Sequence, residues 1–538
     1  MKFIEHRNLY KKASNKWTTI KPKTKYKINL KETFEKSDYN MEILNQQLTK
    51  EWDKMWVELQ KLRYSSRQKE AFSKLRSITK YHLFEKRDGS IITRVATDKG
   101  IVSDPKEVNK LLSQSLGQLT GHSQEPTYVK NLKFPNLEPI TIEQLRELTK
   151  GLSRDKACAM DYLSDSMLIH YIETDEKVAH LFCQLWSSEV LNAEIMKRHL
   201  TGKLIPLNKD HPMIPKPDRM RPIIALSPLV KLLEIRLKDK LDKYMNEKLN
   251  RAQTGFVAKC GTQVNIIRML SKAVEFQRNK RRAVILFIDF KSAYNNVQLE
   301  SLFQIVLKKN ILTEDEVNFL RALYTNLELN VGKEKVRINK GVMQGSILSP
   351  ALFNIFVEDL IDELTTVAGE NNTFAYADDL ATMIDSYHRL HQCAKTIKEW
   401  SKKNNVPIND DKCGILNIVS HQRCNRMIRS KRFEDFPVVQ EYKYLGVWFD
   451  ETINPEFNFI KQKKKISFIT NMISKKKTNP TLIMNLWCLL IRPLFDYSIS
   501  LASIQGEKKL ENHVQRETRS FKDMVGIRLT TKNEDVRQ

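Results

Sequence analysis

Three aspartates sit where carboxylates are costly. Asp289 lies at the end of the apolar run Ala283 to Phe290, which Arg281 and Arg282 precede and Lys291 follows. Asp378 and Asp379 interrupt a second apolar run, Thr373 to Ile384. The first pattern predicts a buried strand ending on an acid, and the second predicts two strands joined by a tight acidic turn. An ionised carboxylate in such surroundings needs its charge neutralised. A divalent cation does this well: Mg2+ takes oxygen ligands, keeps waters, and is commonly held by one or two carboxylates plus substrate phosphates. Two such ions about 3.5–4 Å apart clamp the attacking and leaving oxygens of an in-line displacement at phosphorus. These acids therefore point to phosphoryl transfer with nucleotide substrates.

The elements that must position them follow from periodicity and punctuation. Residues 1 to about 36 are polar and lysine-rich and read as an arm. Met41, Leu44, Leu48, Trp52, Met55, Leu59 and Leu62 recur at three- and four-residue steps, which predicts an amphipathic helix with one buried stripe. Arg87-Asp88-Gly89-Ser90 reads as a hairpin turn. A helix-rich region runs from Thr141 to about Leu200, opened by Thr141 as N-cap with Gln144 three residues on. Pro206, Pro212, Pro215 and Pro217 then mark a loop that carries Lys209, Lys216, Arg219 and Arg221. Leu226 to Leu249 reads as a helix. Beyond about 440 the chain becomes helical and basic, with Lys461, Lys463, Lys464 and Lys465 and then Lys475 to Lys477.

Bulk properties set the frame. At 538 residues the chain is long enough for two to four domains, and a hydrophobic content of 41% supports a sizeable core. Lysine and arginine total 90 against 64 acids, a net charge of +26, which points to a polyanionic partner, either nucleic acid or an anionic membrane surface. The seven cysteines are scattered, without a C-x-x-C pair, which argues against a disulfide framework and for a reducing, intracellular compartment. His421 and Cys424 have ligand-like spacing but lack the further ligands a zinc site needs. No stretch approaches the 18 or so apolar residues of a membrane span, so no membrane partner is expected. Met1 to Lys12 lacks the apolar core of a secretory signal; a mitochondrial presequence fits it poorly because Glu5 comes early.

The acids stand within an ordered series of motifs. Asp289-Phe290-Lys291-Ser292-Ala293-Tyr294, then Gly341 to Pro350 (GVMQGSILSP), then Phe374 to Leu380 (FAYADDL) resemble, in that order, the three palm motifs of reverse transcriptases. The glutamine motif is more similar to that of non-LTR (LINE-type) retrotransposon enzymes than to the retroviral version. Lys209 with Arg221-Pro222-Ile223 resembles the fingers motifs, and Gln253-x-Gly255-Phe256 the next element towards the palm. Lys156-Ala157 with Asp161 resembles the short upstream motif of LINE-type enzymes, with Met160 where a glycine is usual. Lys412 falls where the family has a lysine after the catalytic hairpin, and Tyr444-Leu445-Gly446 resembles the turn of the primer grip. The resemblance covers about residues 140 to 500.

The resemblance implies an α+β right-hand polymerase fold with fingers, a palm of antiparallel sheet and helices, a helical thumb, and a helical N-terminal extension. The implied domains are a basic, partly helical, nucleic-acid-binding extension at 1–135, fingers and palm at 136–436, and a primer grip with a helical basic thumb at 437–538. Asp289 and Asp378 would bind two Mg2+ ions, with Mn2+ as an alternative, the Phe290 carbonyl adding a ligand and Asp379 a supporting acid. Tyr294 would exclude a 2′-hydroxyl by filling its volume. Asn295 stands where the family often has Asp. Gln344 and Gly345 would run beneath the template–nucleotide pair, Lys209 and Arg221 would meet the triphosphate, and Lys412 would protonate the leaving pyrophosphate. Tyr444, Leu445, Gly446, Lys461, Lys463, Lys464 and Lys465 would face the primer–template duplex.

The implied activity is RNA-directed DNA synthesis for retrotransposition. Its partners would be an RNA template, a DNA or RNA primer and dNTPs, within a nuclear or cytoplasmic ribonucleoprotein. The alternatives are an RNA-directed RNA polymerase or a maturase-like RNA-binding scaffold; the three acids argue against the scaffold. No endonuclease domain, C-terminal Cys-Cys-His-Cys knuckle or RNase H-like acidic set is evident. That suggests a trimmed element, a domesticated enzyme, or one partner of a split system with a separate endonuclease.

Overall fold

A computed structural model describes residues 92–152, 163–197, 199–209, 213–217, 219–331, 334–419, 426–474 and 487–525. The expected helix from Met41 to Leu62, the turn at 87–90, Lys156 with Asp161, the His421 and Cys424 pair, and Lys475 to Lys477 lie outside them. In chain order the strands are β1 (Val95–Thr97), β2 (Gly100–Val102), β3 (Thr201–Asn208), β4 (Met220–Leu226), β5 (Ala283–Ile288), β6 (Glu328–Val331), β7 (Glu334–Val336), β8 (Thr373–Tyr376), β9 (Asp379–Ile384), β10 (Gly414–Ile418), β11 (Arg432–Phe433), β12 (Phe436–Val439), β13 (Glu441–Tyr444) and β14 (Val447–Asp450). The longer helices are α1 (Pro105–Thr120), α2 (Ile142–Thr149), α3 (Asp165–Thr174), α4 (Glu176–Cys183), α5 (Pro228–Glu247), α6 (Thr262–Arg278), α7 (Leu299–Lys308), α8 (Glu314–Asn326), α9 (Ser349–Ala368), α10 (Tyr387–Asn404), α11 (Pro455–Ser474), α12 (Arg492–Gln505) and α13 (Glu507–Val525).

The chain divides into two compact units. One comprises Gly89–Gln462 with Tyr497–His513; the other comprises Met1–Asp88, Lys463–Asp496 and Val514–Gln538. The site described below belongs wholly to the first.

Its centre is a six-stranded sheet in the order β11-β12-β10-β5-β9-β8. All of β5 is buried, and its residues alternate between two cores. Val284, Leu286 and Ile288 join a large cluster with α9 residues such as Phe353 and Phe356. Ala283, Ile285 and Phe287 join a second cluster with Ile266, Met269 and Leu270 of α6. A strand covered on both faces reads as an uninterrupted apolar run, and this is why Ala283 to Ile288 shows no alternation. The expected strand and the expected acidic hairpin are both present.

A four-stranded sheet, in the order β4-β3-β6-β7, adjoins it in the chain. The expected proline-punctuated loop connects β3 to β4 and carries Lys209, Lys216 and Arg219, but its outer members Pro206 and Arg221 belong to the paired strands of this hairpin, with Pro206 opposite Pro222. Pro206 fits because β3 pairs with β6 only at Thr201 to Lys203, so the far side of β3 there has no ladder to supply with an N–H, and Pro222 fits because β4 is the edge strand of the sheet. Strand β12 straddles residue 436, and α1 packs on β4, β6 and β7, tying residues 105–120 to that sheet. Helix α2 begins as expected, with Thr141 and Gln144 exchanging capping hydrogen bonds. The five described cysteines are free thiols.

A further departure concerns Trp487–Ile504. It is long and apolar enough to cross a membrane by length and composition, whereas no such stretch was expected. Its apolar residues are broken by Arg492 and Asp496, so it shows no continuous run.

Candidate active site

Strand register brings the acids together. In the antiparallel β5–β9 pair Ile288 lies opposite Leu380, which sets the next residues, Asp289 and Asp379, side by side at the strand ends. In the β8–β9 hairpin Tyr376 pairs with Asp379, leaving Ala377 and Asp378 as a two-residue turn. Such turns favour residues with positive φ, usually glycine or asparagine. Ala377 takes φ +55°, a strained setting for a residue with a Cβ. The turn is gripped by Gln253, which accepts from the Ala377 N–H at 2.8 Å and donates to its carbonyl at 3.2 Å.

The carboxyls repel one another. Asp378 and Asp379 are exposed and Asp289 is half-buried, so the acids expected to be buried open on solvent, although protein atoms crowd the Asp378 and Asp379 carboxyls. That crowding raises both pKa values. The Asp289 charge pushes Asp378 further up, against a pull from Arg221. Crowding first, then the charges of Asp378 and Asp289, push Asp379 up to about 6. Asp289 is held from another side: Asn409 donates to its Oδ2 at 2.7 Å, and the Asn409 N–H donates to its backbone carbonyl at 2.8 Å.

Opposite the acids lies the glutamine motif. Gln344 donates to the Asn295 side chain at 2.8 Å, and its carbonyl accepts from the Ile224 N–H at 2.7 Å, fastening the segment to β4. Gly345 has φ +132°, and a Cβ there would lie 2.1 Å from the Ile224 carbonyl oxygen. Ser346 and the Ile347 N–H both donate to the carboxylate of Glu234 on α5, at 2.6 and 3.1 Å. Burial raises the Glu234 carboxyl to about 7, with the Ser346 and Ile347 hydrogen bonds and the charge of Lys231 pulling against it. Tyr294 stacks face to face on Phe353, centroids 4.2 Å apart and planes 10° apart, so its ring is fixed. Burial and the nearby Asp378 charge hold its hydroxyl protonated, well above the usual tyrosine range.

Asp289, Ala377, Asp378, Asp379, Asn409, Tyr294, Asn295, Gln344, Gly345 and Ser346 line one cavity of about 940 Å³, together with Lys209, Arg219 and Arg221 from the β3–β4 hairpin, Phe256, Phe290 and Lys412. The Lys412 ammonium stands 4.0 Å from the Asp289 carboxylate and is 60% exposed. Of the expected site residues, Asp289, Phe290, Asp378, Asp379, Lys412, Lys209, Arg221, Tyr294, Gln344 and Gly345 meet here. The others do not. Tyr444 is buried, its hydroxyl directed at the Phe374 and Asp379 carbonyls, because it faces inward on β13 against the central sheet. Leu445 and Gly446 form the turn between β13 and β14, and the Tyr497 hydroxyl donates to the Leu445 carbonyl. Lys461 pairs with Glu441 at 2.6 Å and lies over Trp448. Lys463, Lys464 and Lys465 are exposed on α11.

Arg219, Phe256 and Asn409 line the cavity without having been singled out for it from the sequence. Phe256 is the most unusual: a 55% exposed aromatic at φ +57°, its ring 6.4 Å from that of Tyr376. Its exposure and strain leave no trace in a one-dimensional pattern.

Among the described residues no three acids, thiols or imidazoles converge closely enough to cage a metal by themselves. The donor set nevertheless suits a hard divalent cation. It is all oxygen, the Asp378 and Asp379 carboxyls are raised by crowding first and then by neighbouring negative charge, and it opens on a cavity with cationic side chains that can hold phosphates. An ion bound by one or two carboxylates plus substrate phosphates needs no closed cage.

Residues 214–449 match the model of the family described as Reverse transcriptase (RNA-dependent DNA polymerase). The match takes in most of the cavity residues, Lys209 lying just upstream. The chain is 27% identical over 335 residues to the RNA-directed DNA polymerase from mobile element jockey of Drosophila funebris, covering 59% of this chain and 36% of that protein. The counterpart from Drosophila melanogaster is 24% identical over 403 residues, covering 70% of this chain and 42% of the relative. The Retrovirus-related Pol polyprotein from type-1 retrotransposable element R2 of Popillia japonica is 26% identical over 269 residues, covering 46% and 37%. The chain therefore spans about two fifths of the length of these relatives.

Proposed function

Starting from a chain that carries a reverse transcriptase domain of the non-LTR (LINE-type) family, we propose that it is an RNA-directed DNA polymerase that extends a 3′-hydroxyl primer with dNTPs on an RNA template, for retrotransposition. One observation carries this reading: Asp289, Asp378 and Asp379 meet at the end of the β5–β9 pair, in a cavity that also holds Tyr294, Gln344 and the cations of the β3–β4 hairpin.

In this reading the six-stranded sheet is the palm, β3–β4 belongs to the fingers, and residues 437–538 supply the primer grip and a basic thumb after a nucleic-acid-binding extension at 1–135. Asp289, Asp378 and the Phe290 carbonyl would hold two Mg2+ ions, or Mn2+, with Asp379 in support. When bound, these ions supply charge stabilisation at the phosphorus and activate the primer hydroxyl. Lys209 and Arg221 bind the triphosphate, and Lys412 gives a proton to the departing pyrophosphate. Tyr294, fixed by its stack on Phe353, fills the space of a ribose 2′-hydroxyl. Gln344 and Gly345 support the template–nucleotide pair. Gly446 and Lys461 to Lys465 face the duplex, with Tyr444 positioning the grip from beneath. The protein would work in a nuclear or cytoplasmic ribonucleoprotein.

A primer-extension assay with purified protein, Mg2+, dNTPs and an RNA template tests this. Extension is expected in wild type and should fall by at least about 1,000-fold in Asp378→Ala/Asp379→Ala. No extension, or equal extension by the double variant, sinks the reading.

A further inference from the structure

We infer that two uncharged carboxamides, Gln253 and Asn409, are positioning residues that fix the two acidic arms of the site without discharging them. The inference rests on reading those acids as the divalent-cation ligands of nucleotide addition.

Gln253 is 3% exposed and grips one arm. Its Oε1 accepts from the N–H groups of Ala377 and Gly255, at 2.8 and 2.9 Å, while its Nε2 donates to the Ala377 carbonyl at 3.2 Å. Both polar backbone groups of the residue before Asp378 are thus set by one side chain. The grip has no slack, since a Cβ on Gly255 would lie 2.4 Å from the Ala377 nitrogen. The fully buried Asn354 holds the Gly255 carbonyl from behind at 2.6 Å. On the other arm, Asn409 ties Asp289 at its Oδ2 and at its own carbonyl, 2.7 and 2.8 Å, which fixes backbone and side chain together.

The residue type matters. A lysine or arginine at either place would neutralise the arm and compete with a divalent cation for the same oxygens. An amide N–H orients a carboxylate or a peptide group and leaves the formal charge in place. The Lys412 ammonium stands 4.0 Å from the Asp289 carboxylate, the outer limit of an ion pair.

The test uses the full chain carrying Gln253→Met or Asn409→Leu. Mn2+ binding is measured by electron paramagnetic resonance without nucleotide; kcat, KM for dNTP, primer–template affinity and Tm are measured alongside. Each variant is expected to weaken Mn2+ binding about 10-fold and lower kcat about 10–100-fold, with KM for dNTP and primer–template affinity within about twofold of wild type. Unchanged Mn2+ binding and kcat overturn the inference. So does a loss of kcat matched by equal losses of primer–template affinity and Tm, which would mark a packing role. If Gln253→Met does not fold, the isosteric Gln253→Glu carries the test. It keeps the two accepted bonds and loses the donated one, and wild-type Mn2+ binding in it counts against the inference. A wild-type protein that binds Mn2+ but adds no nucleotide defeats the polymerase reading, while the Mn2+ titration of the variants still decides this one.

Discussion

Asp379 has a carboxyl pKa pushed up to about 6 by crowding and by two neighbouring acids. A carboxyl whose folded pKa is raised above its unfolded value contributes stability at low pH and loses it as pH rises through the folded pKa. The ionised Asp379 therefore costs the cation-free protein stability above about pH 6 and little near pH 4. Asp379→Asn should raise the Tm of metal-free protein by on the order of a degree or two at pH 7.5, with the gain vanishing towards pH 4; thermal melts across that range measure it. The same variant should lose primer extension, which is the expected trade where a site holds like charges for function. Tyr294 makes a separate residue-scale prediction. Its ring is locked on Phe353, so Tyr294→Ala opens a fixed volume rather than letting a neighbour swing in. Discrimination against ribonucleotides should drop about 100-fold, read as the ratio of kcat/KM for dNTP and NTP.

Among the elements, the segment carrying Gln344 and Gly345 is pinned at both ends, to β4 through Ile224 and to α5 through Glu234. Gly345→Ala would drive a methyl into the Ile224 carbonyl and oppose φ +132°. It should cost about 1–3 kcal/mol in urea unfolding. The displaced segment should lower kcat about 100-fold, as a misplacement near 1 Å commonly does. Here lies the boundary of what the sequence disclosed. Strand β5 and the β8–β9 turn were readable because burial on both faces writes itself as an apolar run, and an acid inside such a run stands out. The β3–β4 hairpin was not, because its prolines resemble loop punctuation until the unpaired side of β3 is known. The hold of Gln253 on Ala377 was not either. It joins residues 124 apart in the chain, and no local period records such a contact. Tyr444 illustrates the reverse case: its motif was recognisable, while its inward direction depended on which face of β13 meets the sheet.

At the scale of the molecule, a net charge of +26 and the exposed Lys463, Lys464 and Lys465 predict duplex binding dominated by phosphate contacts. Affinity for a primer–template should fall about 100-fold or more between about 50 and 200 mM salt, in a log–log plot whose slope shallows when those three lysines become glutamines; fluorescence anisotropy gives that slope. The sheet order has another consequence. Strand β5 lies between β9, which follows it by some ninety residues, and β10, which comes later still. On a ribosome, chain leaves the tunnel from the N-terminus onward, so β5 emerges with neither neighbour made. The β8–β9 hairpin can cover one edge and unite the acids while the opposite edge still waits for Gly414–Ile418. During that interval the nascent protein holds a nearly assembled site beside a bare, wholly apolar strand edge, the kind of surface that recruits stray strands. The emergence of residues 385–418 from the tunnel is thus the stretch of its production in which a chaperone has most to protect.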